Sequence, residues 1–187
     1  MKFSFLGLMA FSLLVANALQ AQVISTKTGH VNFYSKSPLE VISGDNYKVG
    51  AAVELASGAV EFSMLIKGFE FEKALMEEHF NSAEYMHSEK FPKATFKGKI
   101  LDYKSIDLAK DGVHKVKVTG DMTIHGVTKK IEVEGSIEVK KGKANINAVF
   151  NIAVKDYGVI VPGAVATKIA EQLKITVKAI DLMPKKK

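Results

Sequence analysis

The chain has 187 residues, 47% of them hydrophobic and 25% charged, with a formal net charge of +6. That is enough chain to bury one substantial core, and no second domain is suggested. There is no cysteine, which excludes thiol chemistry and leaves apolar burial and a hydrogen-bonded backbone ladder to hold the fold. The positive charge forms no basic helix and is not interleaved with aromatics, which argues against nucleic acid as a partner.

In chain order, Lys2 precedes an apolar run, Phe3–Ala18, in which Ala16-Asn17-Ala18 matches a small-x-small cleavage site and Ala21 offers a second. This pattern reads as a secretory signal peptide over residues 1–21. The run is shorter than the roughly 20 apolar residues that a bilayer crossing needs. The mature domain is therefore expected over 22–187, in the periplasm or otherwise exported.

Gly29–Ser35 reads as a strand with Val31 and Phe33 on one face, broken by Ser37-Pro38. Ser43-Gly44-Asp45-Asn46 reads as a turn cluster, and Tyr47–Leu55 alternates again. Ala56-Ser57-Gly58 then turns the chain into a run carrying Val60, Phe62, Met64 and Ile66. Phe71–Met86 breaks the alternation with helix-like composition, and Asn81-Ser82 suggests a cap between two short helices. Pro92 ends that segment and holds Phe91 extended.

Lys93–Leu101 is the next strand. Val113–Lys141 is the clearest pattern in the chain: apolar residues take even positions before His125-Gly126 and odd positions after it. A two-residue hairpin turn there pairs Ile124 with Val127 and Val118 with Val133 on one face, and Asp121 with Lys130 and Lys117 with Glu134 on the other. Lys143–Val154 and Gln172–Leu182 are further strands, and Val165–Ala170, after Pro162-Gly163, has room for a short helical turn. Asp156-Tyr157-Gly158 reads as a tight turn with Tyr157 packed over one end.

About eight strands joined mostly by short turns predict an antiparallel barrel or sandwich with helices covering one end. The apolar faces mix bulky residues with Ala51, Ala94, Gly98, Gly120, Gly135 and Ala148. Glycines inside strands fit either a sharply coiled sheet or an unfilled lumen. An eight-stranded barrel can be packed solid or can hold one elongated ligand. Lys97, Lys99, Lys115, Lys117, Lys174 and Lys178 fall on outward faces. They read as a solvated surface that discourages edge pairing, or as an attraction to anionic head groups.

No assembled catalytic centre is legible. There is no G-x-S-x-G elbow, no glycine-rich phosphate loop and no H-E-x-x-H. His30, His79, His87, His114 and His125 show no metal-ligand spacing, and Glu70, Glu72, Glu77 and Glu78 read as a solvated face. The chain is read as not an enzyme and as needing no cofactor or metal. A hydrolase using His79 or His125 with a nearby glutamate would require a clustered acid–base set in a cleft. Lys129 departs from the hairpin pattern by facing Met122 on the apolar side, where it fits a solvated rim or a cation that meets an anionic head group.

Several stretches together resemble one family. They are Phe69-Glu70-Phe71, Ala74–Phe80, Tyr85–Phe96, Gly120–Lys129 and Asp156-Tyr157-Gly158 through Pro162. In order and content they are similar to the YceI-like proteins, exported lipocalin-like barrels that bind polyisoprenoids in some members. The resemblance implies an all-β, eight-stranded antiparallel lipocalin-like barrel with short helices covering one end, and a lumen for a long apolar chain. It carries no catalytic residues over.

On this reading Phe62, Met64, Phe96, Val118, Met122, Val133, Ile146, Phe150 and Ile175 line the lumen, with Lys129 at the rim. The partner is an apolar or amphiphilic lipid such as a polyisoprenoid, bound by burial of its chain. Peripheral membrane contact and a homodimer are both compatible with it. The competing reading is an envelope structural or stress-related protein with a solid barrel and no ligand, which expects no continuous cavity.

Overall fold

A computed structural model describes residues 23–107 and 110–184. The expected signal peptide, with its candidate cleavage sites at Ala18 and Ala21, and the Lys185–Lys187 tail lie outside the described residues. The fold is a closed antiparallel barrel of eight strands in sequential order: β1 (Val23–Lys36), β2 (Val41–Glu54), β3 (Ala59–Leu65), β4 (Lys93–Ile100), β5 (Gly112–Ile124), β6 (Val127–Lys140), β7 (Lys143–Ala153) and β8 (Gln172–Pro184). β1 pairs with both β2 and β8, so no strand edge is left open. Among the described residues the single α-helix, α1 (Ala74–Asn81), lies in the crossing from β3 to β4.

The hairpin legible in the sequence forms in the expected register. Ile124 faces Val127, Val118 faces Val133, Asp121 faces Lys130 and Lys117 faces Glu134. His125 and Gly126 both have positive φ, 51° and 75°, the double left-handed turn whose twist matches that of the flanking strands. On the outer face Lys117 bridges Glu132 at 3.2 Å and Glu134 at 3.7 Å. Its ammonium pKa is held above the ordinary value, first by the hydrogen bond to Glu132 and then by the two carboxylate charges.

Three expectations are corrected. Ser43–Asn46 is not a turn but part of β2. Gly44 and Asn46 occupy inward positions there: the Phe33 ring lies where a Gly44 Cβ would be, at 2.5 Å, and Asn46 is fully buried. Asn46 Nδ2 donates to the Leu65 carbonyl at 2.9 Å, and its Oδ1 accepts from the Lys48 amide at 2.9 Å. Polar residues thus serve the barrel interior, where sequence logic assigns a loop. Second, β1 begins at Val23 rather than near Gly29, because irregularities around Gly29 shift the register and break the alternation. Third, no second helix follows α1: the chain turns from Ser82 to Phe91 through bonds such as His87 N–H to the Ser82 carbonyl.

Strand connections sort the barrel into two ends. At one end lie the β2–β3 and β6–β7 turns and the β4–β5 connection. There the Tyr103 ring lies against Gly58, and its hydroxyl donates to the Leu55 carbonyl at 2.8 Å, closing that end with Leu55 and Ile106. At the other end lie the β1–β2 loop, the crossing 66–92 with α1, the His125-Gly126 turn and the segment 154–171. β3 and β4 are the shortest strands, and the crossing that joins them contains α1 and packs Phe69, Phe71 and Phe80 against Phe33 of β1.

Candidate functional site

The inward residues of the strands enclose a cavity of about 580 Å³, within the usual range for small-molecule pockets. A solid barrel expects no such space, and the lumen departs from that expectation. Phe62 and Met64 reach it from β3, Phe96 from β4, Val118 and Met122 from β5, Val133 from β6, Ile146 and Phe150 from β7, and Ile175 from β8. These are nine of the ten residues singled out in the sequence. The period-2 rule that identified them places alternate side chains on one face of a strand.

Lys129 faces Met122 in the expected register, but its side chain is exposed and is not part of the cavity lining. The cations that do border the cavity are Lys73, ahead of α1, and Lys168, in the 3-10 turn Gly163–Lys168; both are exposed. His79 and Glu40 border it as well. Sequence reasoning did not single out these four for the lumen because they come from segments without strand periodicity.

Two apolar clusters build the wall. Val53, Val60, Ile100, Val116, Ile137 and Ile146 lie toward the end closed by Tyr103. Val31, Phe33, Val49, Phe69, Leu173 and Ile175 form the other, with Phe71 and Phe80 against it. Phe33 and Phe80 stack at 5.6 Å, and Phe69 and Phe71 meet both rings. Aromatic pairs of this kind add roughly 0.5–1.5 kcal/mol each beyond area burial, so they pin α1 over the lumen even though α1 has no fully buried residue.

The glycine question is settled at β4 and β5. Gly98 faces Gly120, and the Phe96 ring occupies the space that both leave. The missing side chains admit close backbone approach and a ring laid flat on the wall; they are not themselves the void.

At the α1 end, three connections are tied together. His125 Nδ1–H donates to the Tyr157 carbonyl at 3.3 Å, and since a carbonyl only accepts, that bond sets the tautomer. The Phe91 ring meets the His125 ring edge-on at 4.3 Å. Tyr157 is buried, as its expected packing over a barrel end requires, and burial followed by the nearby Asp156 charge pushes its phenol pKa up. Outside the lumen, His30 donates to Asp45 at 2.6 Å and stacks on Tyr47 at 4.5 Å. Among the described residues, no group of three or more His, Asp or Glu side chains is placed to hold a metal.

A family model described as the YceI-like domain matches residues 22–180. The chain belongs to the YceI-like family. Curated YceI-like relatives include a UPF0312 protein of Pseudomonas putida (strain W619), 29% identical over 110 residues, 56% of this chain and 53% of that protein. Protein YceI of Escherichia coli O157:H7 is 30% identical over 90 residues, 44% of this chain and 42% of its own length. The chain thus spans about half the length of the curated relatives it matches.

Among solved structures, the YceI-like barrel is similar to a polyisoprenoid binding domain from Saccharophagus degradans implicated in plant cell wall breakdown. The TM-score is 0.70 at 13% identity, covering 88% of this chain and 99% of that one. It is also similar to BcnA of Burkholderia cenocepacia, with TM-score 0.67 at 16% identity over 81% and 95% of the two chains. At these identities the likeness is one of fold.

Proposed function

We infer that this YceI-like chain is an exported lipid-binding protein whose lumen holds one long apolar chain, a polyisoprenoid or a similar amphiphile. The observation that carries the reading is the cavity of about 580 Å³, walled by Phe62, Met64, Phe96, Met122 and Phe150 and their aliphatic neighbours. Such a wall offers little to a polar solute and much to a hydrocarbon chain, at ~25 cal/mol per Å² of apolar surface removed from water before association costs. The methionines suit an adaptable lining. The polar head of the ligand lies at the α1 end, where Lys73, His79, Lys168 and Glu40 border the cavity and the opposite end is closed by Tyr103.

Support from relatives is of the same kind: a solved barrel of this fold is a polyisoprenoid binding domain. Export is supported by the pattern of residues 1–21. The test is native mass spectrometry and solvent extraction of the purified protein, followed by titration with prenyl and fatty amphiphiles. A co-purifying long-chain lipid, or saturable one-to-one uptake of such a chain, is the expected result. A protein that is empty and takes up neither class would refute the reading.

A further inference from the structure

The barrel is hollow over only part of its length. The paired Ile137 and Ile146 are the last residues of β6 and β7 to border the cavity on the way to the Tyr103 end. The next inward pair, Val139 and Ala144, is buried but does not border it, and Leu182 of β8 lies fully buried beside Ala144. Val60, Ile100 and Val116 are the last lining residues on β3, β4 and β5, and they belong to the same packed cluster. Leu55, Tyr103 and Ile106 pack against that cluster, with the Tyr103 hydroxyl bonded to the Leu55 carbonyl. The cavity therefore ends on a floor of packed side chains with further packed side chains behind it.

The floor fixes the depth. On β5 the lining runs from Val116 to Ile124. At ~3.4 Å per residue and a tilt of ~35–45° to the barrel axis, that stretch is about 20 Å deep. The volume agrees: at about 30 Å³ per carbon, the share of a water molecule in its liquid and close to that of a methylene group, the 580 Å³ cavity holds on the order of 20 carbon atoms.

We propose that this packed half of the barrel is a length stop, which sets the ligand class to prenyl chains of three or four isoprene units and acyl chains of similar length. The proposal rests on the lumen being a lipid site, and it adds which chains fill it and which residues decide. The tail meets Val60, Ile100, Val116 and Ile137, while the head stays at the α1 end beside Lys73 and Lys168. A much longer polyprenyl chain leaves its surplus outside the barrel, where it gains no burial. Affinity then depends on length only up to the stop.

The experiment is a competition titration. The mature protein, loaded with a fluorescent fatty probe, is challenged with prenyl alcohols of two, three, four and nine isoprene units carried on cyclodextrin. Affinity is expected to rise at least about tenfold per unit up to four, and to change by less than about threefold from four to nine. Two floor variants move the stop in opposite directions, each compared with wild type at the same length so that partition into cyclodextrin cancels. Val116→Phe, opposite Gly135 in the ladder, raises the floor. It should cost the four-unit alcohol at least about tenfold and leave the two-unit alcohol within about threefold. Ile137→Ala lowers the floor and should strengthen the nine-unit alcohol at least about tenfold, with the two-unit alcohol again unchanged.

If Ile137→Ala fails to fold, Val116→Phe decides alone. A further tenfold gain from four to nine units in wild type would overturn the length stop and leave the lipid-binding reading standing. So would a folded Val116→Phe that weakens every length equally or none. A protein that takes up neither the probe nor any of the alcohols would defeat the lipid-binding reading, and the length stop with it.

Discussion

Gly98 faces Gly120 across the β4–β5 ladder with their backbones in such close approach that a Cβ on Gly120 would lie 2.4 Å from the Gly98 Cα. The same Cβ would meet the Lys97 carbonyl oxygen at 2.4 Å, and one on Gly98 would meet the Thr119 carbonyl oxygen at 2.5 Å. These are backbone atoms of a continuous ladder, so they cannot swing aside. Gly98→Ala and Gly120→Ala are each expected to destabilise the barrel by about 1–3 kcal/mol, read as a lower urea midpoint. An unchanged midpoint in both variants would contradict the close approach.

How much of this was legible depends on how regular each strand is. The β5–β6 hairpin was readable to the residue because Val116–Ile137 keeps its alternation, Lys129 apart, through a two-residue turn. β1 and β2 were readable only in part. Inward positions run Gly29, Val31, Phe33 in β1 but include Ile24 before the irregularity, and β2 passes from Ile42, Gly44 and Asn46 to Val49, Ala51 and Val53. A change of parity within one strand looks like a break, and Gly44 beside Asn46 looks like a turn. Most of the lumen wall follows period 2 and was found. The mouth was not, because Lys73, Leu75, Val161 and Lys168 come from loops and short helices whose positions only the closed barrel fixes. Tyr103 and Ile106, in a connection without strand or helix periodicity, carried no signal that they close the far end.

Val118 offers a test of the lumen that leaves the fold alone. Its side chain packs against the core cluster on one side and lines the cavity on the other. Val118→Phe should cost less than the roughly 1–3 kcal/mol usual for overpacking, because the added ring enters the void. It should also reduce uptake of a long chain at least about tenfold, the volume being already filled. Titration with a fluorescent prenyl or fatty probe, beside a urea melt, separates the two effects. Undiminished uptake would place the chain elsewhere.

Asn46 holds the start of the β3–β4 crossing from inside the barrel. Asn46→Ala leaves the Leu65 carbonyl without the Nδ2 donor and the Lys48 amide without its acceptor. The expected loss is about 1–3 kcal/mol. Asn46→Asp should be worse at neutral pH, because it sets a buried charge against the Leu65 carbonyl, where the Asn46 side chain has backbone groups and no cation as hydrogen-bond partners. Denaturation of both variants checks the order, and an equal or reversed ranking would contradict it.

The positions of the lysines predict which of them an anionic amphiphile senses. Lys129 is exposed and outside the cavity lining, whereas Lys73 and Lys168 border it. Lys129→Ala should therefore leave the affinity for a prenyl phosphate or a fatty acid unchanged. Lys73→Ala and Lys168→Ala should each weaken it by about threefold, the scale of a solvent-screened charge contact. Affinity for a neutral long-chain alcohol should stay constant in all three. A selective loss in Lys129→Ala would move the head group to the β5–β6 turn.

The two shifted tyrosines give the barrel an alkaline limit. Burial raises the phenol pKa of Tyr103, and burial with the Asp156 charge raises that of Tyr157. Below about pH 10 both phenols are protonated folded and unfolded, and they contribute nothing to the slope. Above it the unfolded chain releases its phenolic protons first, so the folded state binds more protons and stability falls as pH rises, until the folded phenols ionise too. Tyr103→Phe should lower stability at neutral pH by about 1 kcal/mol, through loss of the bond to the Leu55 carbonyl. The same substitution should flatten the decline above about pH 10. Urea midpoints measured from neutral to strongly alkaline pH test both parts. A variant whose alkaline slope matches wild type would show that the Tyr103 phenol ionises as freely in the fold as in water.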